Sequence, residues 1–102
     1  MYVRVLHFNC REEAEKPEIR KLYRLVVELA RDMDGFFGST LLMRENACLC
    51  MAMMYWRDDH AARAAGPSIV ALLGEHTHDL LSEPPNIEGY YVIENGILPQ
   101  TE

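Results

Sequence analysis

The sequence has no excess of positive charge and no long apolar run. Its 10 Lys and Arg residues are outnumbered by 16 Asp and Glu, so the net charge is −6. Because phosphate binding needs a basic surface, we expect no nucleic-acid partner. No apolar stretch approaches the ~20 residues of a membrane-spanning helix. Charged residues also appear too early for a secretory signal peptide, so we expect no membrane association.

Cysteine is scarce, with three residues in the whole chain. Cys48 and Cys50 are two apart in a predicted strand, so their side chains point the same way roughly 6.7 Å apart, which is poor disulfide geometry. We expect these two and Cys10 to be reduced thiols that act as small buried hydrophobes. Reduced thiols predict a cytoplasmic protein. A metal site built from Cys48, Cys50 and a histidine would lack the usual ligand spacing, so no metal is predicted.

A chain of 102 residues, 49% of them hydrophobic, fits one domain. We assign the domain to residues 1–95 and a polar tail to 96–102. The predicted elements are a strand at 1–10, a helix from Pro17 to a cap at Asp34-Gly35, strands at 39–44 and 47–56 joined by a tight turn at Glu45-Asn46, a short helix at 60–65 capped by Asp58-Asp59, a break at Gly66-Pro67, a longer helix from Ser68, and a strand at 87–94. This order, β-α-β-β-α-β, predicts an α+β, ferredoxin-like fold with a four-stranded antiparallel sheet.

The third predicted strand is apolar on both faces. One face carries small residues, Cys48, Cys50 and Ala52, and the other carries bulky ones, Leu49, Met51, Met53 and Tyr55. A strand buried on both faces needs cover on each side, and one helical layer covers only one. The pattern therefore predicts oligomerisation.

Two motifs give the sequence a family resemblance. The run 34–42 (Asp-Gly-Phe-Phe-Gly-Ser-Thr-Leu-Leu), a hairpin, and then Tyr55-Trp56-Arg57-Asp58 before an Ala-rich helix resemble the antibiotic biosynthesis monooxygenase-like family. The resemblance implies a homodimer whose sheets pack face to face into a dimeric α+β barrel. It also implies a pocket between each sheet and its helices. Members include oxygenases that act on aromatic phenols without a cofactor, and haem-degrading enzymes.

Asn9 and His76 are the predicted catalytic residues. His76 lies on an apolar helical stripe of Ile69, Leu72, Leu73 and Leu80, and Asn9 lies near the end of an apolar strand. An ionisable ring on such a stripe must be hydrogen-bonded, ligating or exposed in a cavity. A cofactor-independent oxygenation of a phenol or quinol needs a base, for which histidine is suited, and a polar group that holds the anion, for which asparagine is suited.

Five further residues are predicted to bind the aromatic substrate: His7, Trp56, Cys50, Ala52 and Leu72. His7 shares a strand face with Asn9, while Cys50 and Ala52 leave room for a flat ring. Each candidate also has a structural interpretation, such as a hydrogen-bonded core histidine for His76 or a packing anchor for Trp56. Arg4 and Arg44 could meet a substrate anion, although salt bridges are the commoner use of such residues.

Two other functions stay open at this point. The haem-degrading members carry an asparagine on strand one, a tryptophan in the second helical segment and an axial histidine on the next helix. Asn9 and His76 match the first and the third, but residues 63–65 are Arg-Ala-Ala and contain no tryptophan, so no cofactor is predicted. The other alternative is a non-enzymatic dimeric module that binds a small molecule or serves in a stress response.

Overall fold

A computed structural model describes residues 1–76 and 85–96 as one antiparallel sheet covered on one face by two helices. The elements are β1 (Tyr2–Asn9), α1 (Lys16–Ala30), β2 (Phe36–Met43), β3 (Leu49–Trp56), α2 (Asp59–His76) and β4 (Asn86–Tyr91), with a short 3₁₀ turn at Glu13–Glu15. The strand order is β2-β3-β1-β4. The predicted ferredoxin-like β-α-β-β-α-β fold is confirmed. Neither described helix is both long and apolar enough to cross a membrane.

The alternation of side chains along β1 and β3 decides which face of the sheet meets the helices. In the pairing of these central strands, Leu6 lies opposite Ala52 and Phe8 opposite Cys50. Both pairs belong to the buried core that α1 and α2 cover. The small face of β3 therefore packs against the helices. Its bulky face, with Met51 and Met53, lies on the other side and is only partly buried.

Helix α1 begins where its sequence favours a helix start. Pro17 occupies the first turn, where its missing N–H leaves no hydrogen bond unmade, and Glu18 places negative charge at the positive end of the helix dipole. The predicted end at Asp34-Gly35 is wrong, because the helix ends at Ala30 and the chain turns over the next residues. The Met33 N–H donates to the Ala30 carbonyl at 2.9 Å in that turn.

Helix α2 is continuous, so the predicted break at Gly66-Pro67 is wrong. Proline normally crowds the Cβ of the preceding residue, but residue 66 is a glycine and has no Cβ. Because proline has no backbone N–H, one carbonyl in the preceding turn lacks its helical hydrogen bond. Pro67 is exposed, so this carbonyl can be hydrated instead. The predicted cap is present, since the Ala61 N–H donates to Asp58 Oδ1 at 2.9 Å. The face of α2 that packs onto the core continues on both sides of Pro67. Its buried residues are Ala61, Ala62, Ala65, Ile69 and Leu73.

The Gly-Phe-Phe-Gly motif shapes the junction between β2 and the helices. Gly35 has φ +80°, and a Cβ there would lie 2.7 Å from the Cβ of Ala61 on α2. Gly38, at φ +148°, follows an irregularity in the pairing of β2 with β3. β2 thus begins at Phe36, earlier than the predicted residue 39. This places Phe36 against Trp56, with ring centroids 5.1 Å apart.

The end of the sheet near Asn9 differs from the prediction in two ways. β3 begins at Leu49, so the β2–β3 connection is longer than the predicted two-residue turn, and Asn46 in it has φ 57°. Cys10 and Cys48 form a disulfide, with Cα atoms 5.2 Å apart. The expectation of three reduced thiols is therefore wrong, and Cys50 alone is a free cysteine. The β1–β3 register brings this pair together, since the Cys10 N–H donates to the Cys48 carbonyl at 3.1 Å.

The last strand is shorter than predicted, ending at Tyr91 instead of residue 94. It pairs with β1 along the sheet edge, with Tyr91 opposite Tyr2 and Ile87 opposite Leu6. The predicted end of the longer helix, with Leu80 in its stripe, and most of the predicted tail lie outside the described residues.

Candidate functional site

A cavity of about 270 Å³ lies between α2 and the helix-covered face of the sheet. Strands β1, β3 and β4 form one wall, and α2 forms the other. Ala62 and Gly66 on α2 are small, so they leave space between this helix and the sheet. The other described residues of the lining are Arg4, which is charged, and the largely apolar Leu6, Met54, Trp56, Ile69, Val70 and Ile87. Such a lining suits an apolar ligand that is oriented by a few polar contacts.

Trp56 is the anchor of this cavity. Its side chain is fully buried and packs on Phe36. Its indole Nε1 is also buried, and no acceptor for it is present among the described residues. Because buried N–H groups are almost always hydrogen-bonded, this unpaired donor is an exception, and it belongs to the ring that lines the cavity although the nitrogen itself is closed off from solvent. Trp56 lines the cavity, and the substrate-binding role expected from the sequence stays a prediction.

Among the described residues, Arg4 is the one charged residue in the cavity lining. It lies on the helix-facing side of β1 between Met54 of β3 and Gly89 of β4, and it is half-buried. Its guanidinium carbon is 5.5 Å from the centroid of the Tyr2 ring, a cation–π contact. In the described part of the chain, no carboxylate forms an ion pair with it. The salt bridge expected as its commoner use is therefore not seen among these residues.

Tyrosines border the same edge of the sheet. The Tyr2 hydroxyl occupies the space that a Cβ at Gly89 would need, so the glycine allows the ring to lie over β4. Tyr2 and Tyr91 form an edge-on pair with centroids 5.1 Å apart. The pKa of Tyr91 is raised because its hydroxyl hydrogen-bonds to the Asp59 carboxylate. These contacts link the β1–β4 edge to the start of α2.

Asn9 and His7 line a different cleft, of about 390 Å³, at the β2–β3–β1 end of the sheet. Their side chains alternate with Phe8, which is in the core, and so belong to the face that the helices do not cover. His7 Nε2 lies 2.9 Å from Glu88 Oε1. The Tyr90 hydroxyl donates to the same carboxylate, which raises the pKa of Tyr90. His7 at the border of this cleft thus belongs to a His–Glu–Tyr cluster.

The other predicted site residues are divided among several places. His76 is exposed and is the last described residue of α2, beyond the cavity. Leu72 is partly buried against the core, and Ala52 is buried in it. Cys50 is also buried in the core, which raises the pKa of its thiol. It also lines the 390 Å³ cleft that contains His7 and Asn9. None of the cavities lined by described residues contains both Asn9 and His76, and their role as a catalytic pair stays a prediction.

The arginine in the cavity was not among the site residues predicted from the sequence. The sequence does indicate its position, because residues 2, 6 and 8 predict that the even positions of β1 share one face, and residue 4 is also an even position. An arginine there breaks a run of apolar residues on a face that packs against helices. Because a salt bridge is the commoner use of such an arginine, Arg4 is not predicted as a site residue from the sequence.

Comparisons with known proteins identify the fold. No protein-family model and no curated protein matches the chain, but many solved structures do. The monooxygenase ActVA-Orf6 of Streptomyces coelicolor, in complex with nanaomycin D, has a TM-score of 0.71 and 23% identity, over 97% of this chain and 92% of its own. SnoaB from Streptomyces nogalater, a cofactor-independent oxygenase, has a TM-score of 0.74 and 18% identity over 97% of both chains.

A third similar structure comes from a haem-binding protein. The heme-degrader MhuD of Mycobacterium tuberculosis, with two hemes in its active site, has a TM-score of 0.70 and 19% identity, over 93% of this chain and 98% of its own. At these identities the similarity concerns the fold and leaves the chemistry to the residues of each site. The chain has the ferredoxin-like fold of the antibiotic biosynthesis monooxygenase proteins, as its sequence motifs predicted.

Proposed function

We propose that this protein binds a small aromatic phenol or quinol in the cavity between α2 and the sheet and oxidises it with O₂, without a cofactor. The observation that carries the proposal is the apolar cavity lined by the ring of Trp56 and by Arg4, together with the buried Nε1 of that ring, which has no acceptor and which a ligand oxygen would reach only after the side chains over it move. An unpaired buried N–H destabilises a protein by about 1–3 kcal/mol. A ligand oxygen that accepts this hydrogen bond would recover that free energy and fix the orientation of the ring.

The cavity volume limits the ligand. About 270 Å³ lies just below the roughly 300–1,000 Å³ of common ligand pockets, so we expect a ligand of no more than three fused rings. Haem does not fit the residues present, because it needs an axial ligand and none of the described histidines lines the cavity. His76 is exposed at the end of α2, and His7 lies on the opposite face of the sheet, beside Glu88. We therefore derive no chemistry through haem.

The reaction would depend on the anion of the substrate. A phenol or anthrone loses a proton, and the anion passes an electron to O₂. Recombination then forms a carbon–oxygen bond. For an anthrone, the CH₂ group becomes C=O while the second oxygen atom leaves as water, so the reaction balances without an external reductant. An apolar cavity strengthens every electrostatic contact to this anion, because water is largely excluded from it.

Oxygen uptake tests this proposal. We expect hydroquinones, naphthohydroquinones or anthrone to stimulate uptake, and Trp56→Phe, which keeps a ring but removes the N–H, to lower kcat/KM about tenfold or more. The predicted pair Asn9 and His76 supplies a comparison, since the Asn9→Ala, His76→Ala double variant should keep most of the activity if the cavity is the site. Ligands that lack an oxygen acceptor should bind Trp56→Phe and wild-type protein alike, which separates the N–H effect from misfolding. Absence of uptake with every compound would refute the oxidation.

Binding without chemistry is the second candidate function. It is favoured by the cavity lining, whose one ionisable group among the described residues is a permanently charged arginine and not a base. In that case the same aromatic compounds would raise the Tm of the protein while O₂ consumption stayed at background. A Tm that no compound raises would refute both candidates.

We also propose that the sheet face away from the helices forms a homodimer. Leu42 and Leu49 on this face are 47% and 40% exposed, and Met51, Met53 and Tyr55 are partly exposed beside them. Met53→Glu places a charge at the centre of this face and should shift the mass measured by light scattering from dimer to monomer. A matched control is Leu25→Glu on the exposed side of α1, which should leave the mass unchanged. A wild-type monomer at micromolar concentration would contradict the proposal.

A further inference from the structure

Arg4 is held in place over the cavity by its neighbours. The β1–β4 pairing sets it opposite Gly89, which has no side chain, and the Tyr2 ring fills the space above that glycine. The guanidinium lies 5.5 Å from the centre of this ring. The planar group is thus positioned by a cation–π contact while its N–H donors stay available.

The acidic groups around Arg4 are paired with other residues. Asp59, at the start of α2, interacts with Arg63 at 3.4 Å and with the Tyr91 hydroxyl. Glu88, the acidic residue of β4, points to the opposite face of the sheet and pairs with His7. β3 contributes no titratable group to the cavity lining. The positive charge in this cavity is therefore not neutralised by the described residues.

A half-buried cation without a counter-ion favours an anionic ligand. Removing a charge from water destabilises it unless an opposite charge or hydrogen-bond acceptor replaces the water. An opposite charge within about 4–6 Å stabilises the ionised form of a titrating group by a factor of ten or more. A phenol bound beside Arg4 would experience this field.

We infer that Arg4 selects the ionised form of the ligand, so that a phenol bound in the cavity releases its proton to solvent at a lower pH than in water and the protein needs no general base. The inference rests on the proposed function, because it names the substrate class of the same cavity. In this step the O–H bond breaks, the proton passes to water or buffer, and the phenolate stays beside the guanidinium. Arg4 would then be the residue that activates the substrate toward O₂.

The absorbance of bound 4-nitrophenol tests this inference directly, because the phenolate and the phenol have different spectra. We expect 4-nitrophenol bound to the wild-type protein to ionise about one pH unit or more below the free compound. Arg4→Met, which keeps an apolar stem of similar length, should abolish that shift. Arg4→Lys, which keeps the charge but loses the planar donor group, should retain part of it. The neutral analogue nitrobenzene should bind all three proteins within about twofold.

The possible outcomes separate the inference from the function on which it rests. If neither compound binds the wild-type protein, the cavity is not a ligand site and the proposed function fails with the inference. If both compounds bind but 4-nitrophenol ionises at the same pH in wild-type and Arg4→Met protein, the inference is overturned and the binding function stands. Nitrobenzene binding also serves as the folding control for Arg4→Met, since a collapsed cavity would lose it.

Discussion

Replacing Cys48 with serine removes the covalent link between the end of β1 and the β2–β3 connection. The disulfide joins residues separated by 38 positions in the sequence. In the chain-entropy model, closing a loop of that length removes about 13 cal/mol/K from the unfolded state, which corresponds to about 4 kcal/mol at 25 °C. Domains of this size have a total stability of only about 5–15 kcal/mol. We therefore expect Cys48→Ser to lose roughly a third or more of the free energy of unfolding.

Denaturant unfolding with and without a phosphine reductant measures this effect. Wild-type protein should lose about 3–4 kcal/mol on reduction, and Cys48→Ser should be insensitive to the reductant. The slope of the free energy against denaturant should be smaller for the oxidised wild type, because a cross-linked unfolded chain exposes less surface. Cys50→Ala is the matched control, since Cys50 is a buried free thiol and its loss should leave the dependence on reductant intact.

Counting thiols provides the result that would refute this reasoning. After alkylation in denaturant, the oxidised protein should show one free thiol by mass spectrometry and the reduced protein three. Three free thiols in protein purified under air and a mild oxidant would contradict the disulfide itself. A reduced wild type as stable as the oxidised one would contradict the magnitude derived from loop closure.

Two further perturbations test the junction between β2 and the helices. Gly35→Ala should destabilise the protein by about 2–4 kcal/mol, because it forces a positive φ on alanine and drives a Cβ into Ala61. The control Gly74→Ala, which lies in open space on α2, should be neutral or stabilising in the same denaturant assay. Equal changes in the free energy of unfolding for the two variants would refute the steric argument. The pKa of Asp34 lies below 3.8 because Arg57 hydrogen-bonds to its carboxylate, with a shortest contact of 2.8 Å, so the stability from this ion pair is present above pH 3.8 and lost as the pH falls through the folded pKa. On acidification below pH 3.8, the Tm of Asp34→Asn should therefore fall less than the Tm of the wild type. Parallel curves of Tm against pH would contradict this.

Most of the fold could be predicted from the sequence because its signals are local. Alternating residues in strands, the helical stripe from Ile19 to Ala30 and the cap at Asp58 each act within a few positions, and all appear as expected. The errors lie where a distant contact decides a local conformation. Pro67 ends no helix, because core packing on both sides of it keeps α2 intact. β2 begins early because Phe36 packs on Trp56.

The site was harder to predict than the fold because its residues are far apart in the sequence. Trp56 is a packing anchor that also lines the cavity, while its predicted contact with a substrate stays a prediction. Asn9 and His76 were paired through the family resemblance, but strand parity places Asn9 on the uncovered face of the sheet. Arg4 has the parity that points toward α2, and no local pattern indicates that none of the described carboxylates pairs with it.

The order of the elements, the amphipathic faces and the strand that is apolar on both faces follow from the amino-acid sequence alone, because they depend on the period of a strand or a helix. The tertiary structure decided which face of β3 the helices cover and that Cys10 lies opposite Cys48. It also decided that Arg4 and Trp56 share one cavity. These facts depend on strand register and on the placement of α2, which arise from the packing of residues that are distant in the chain.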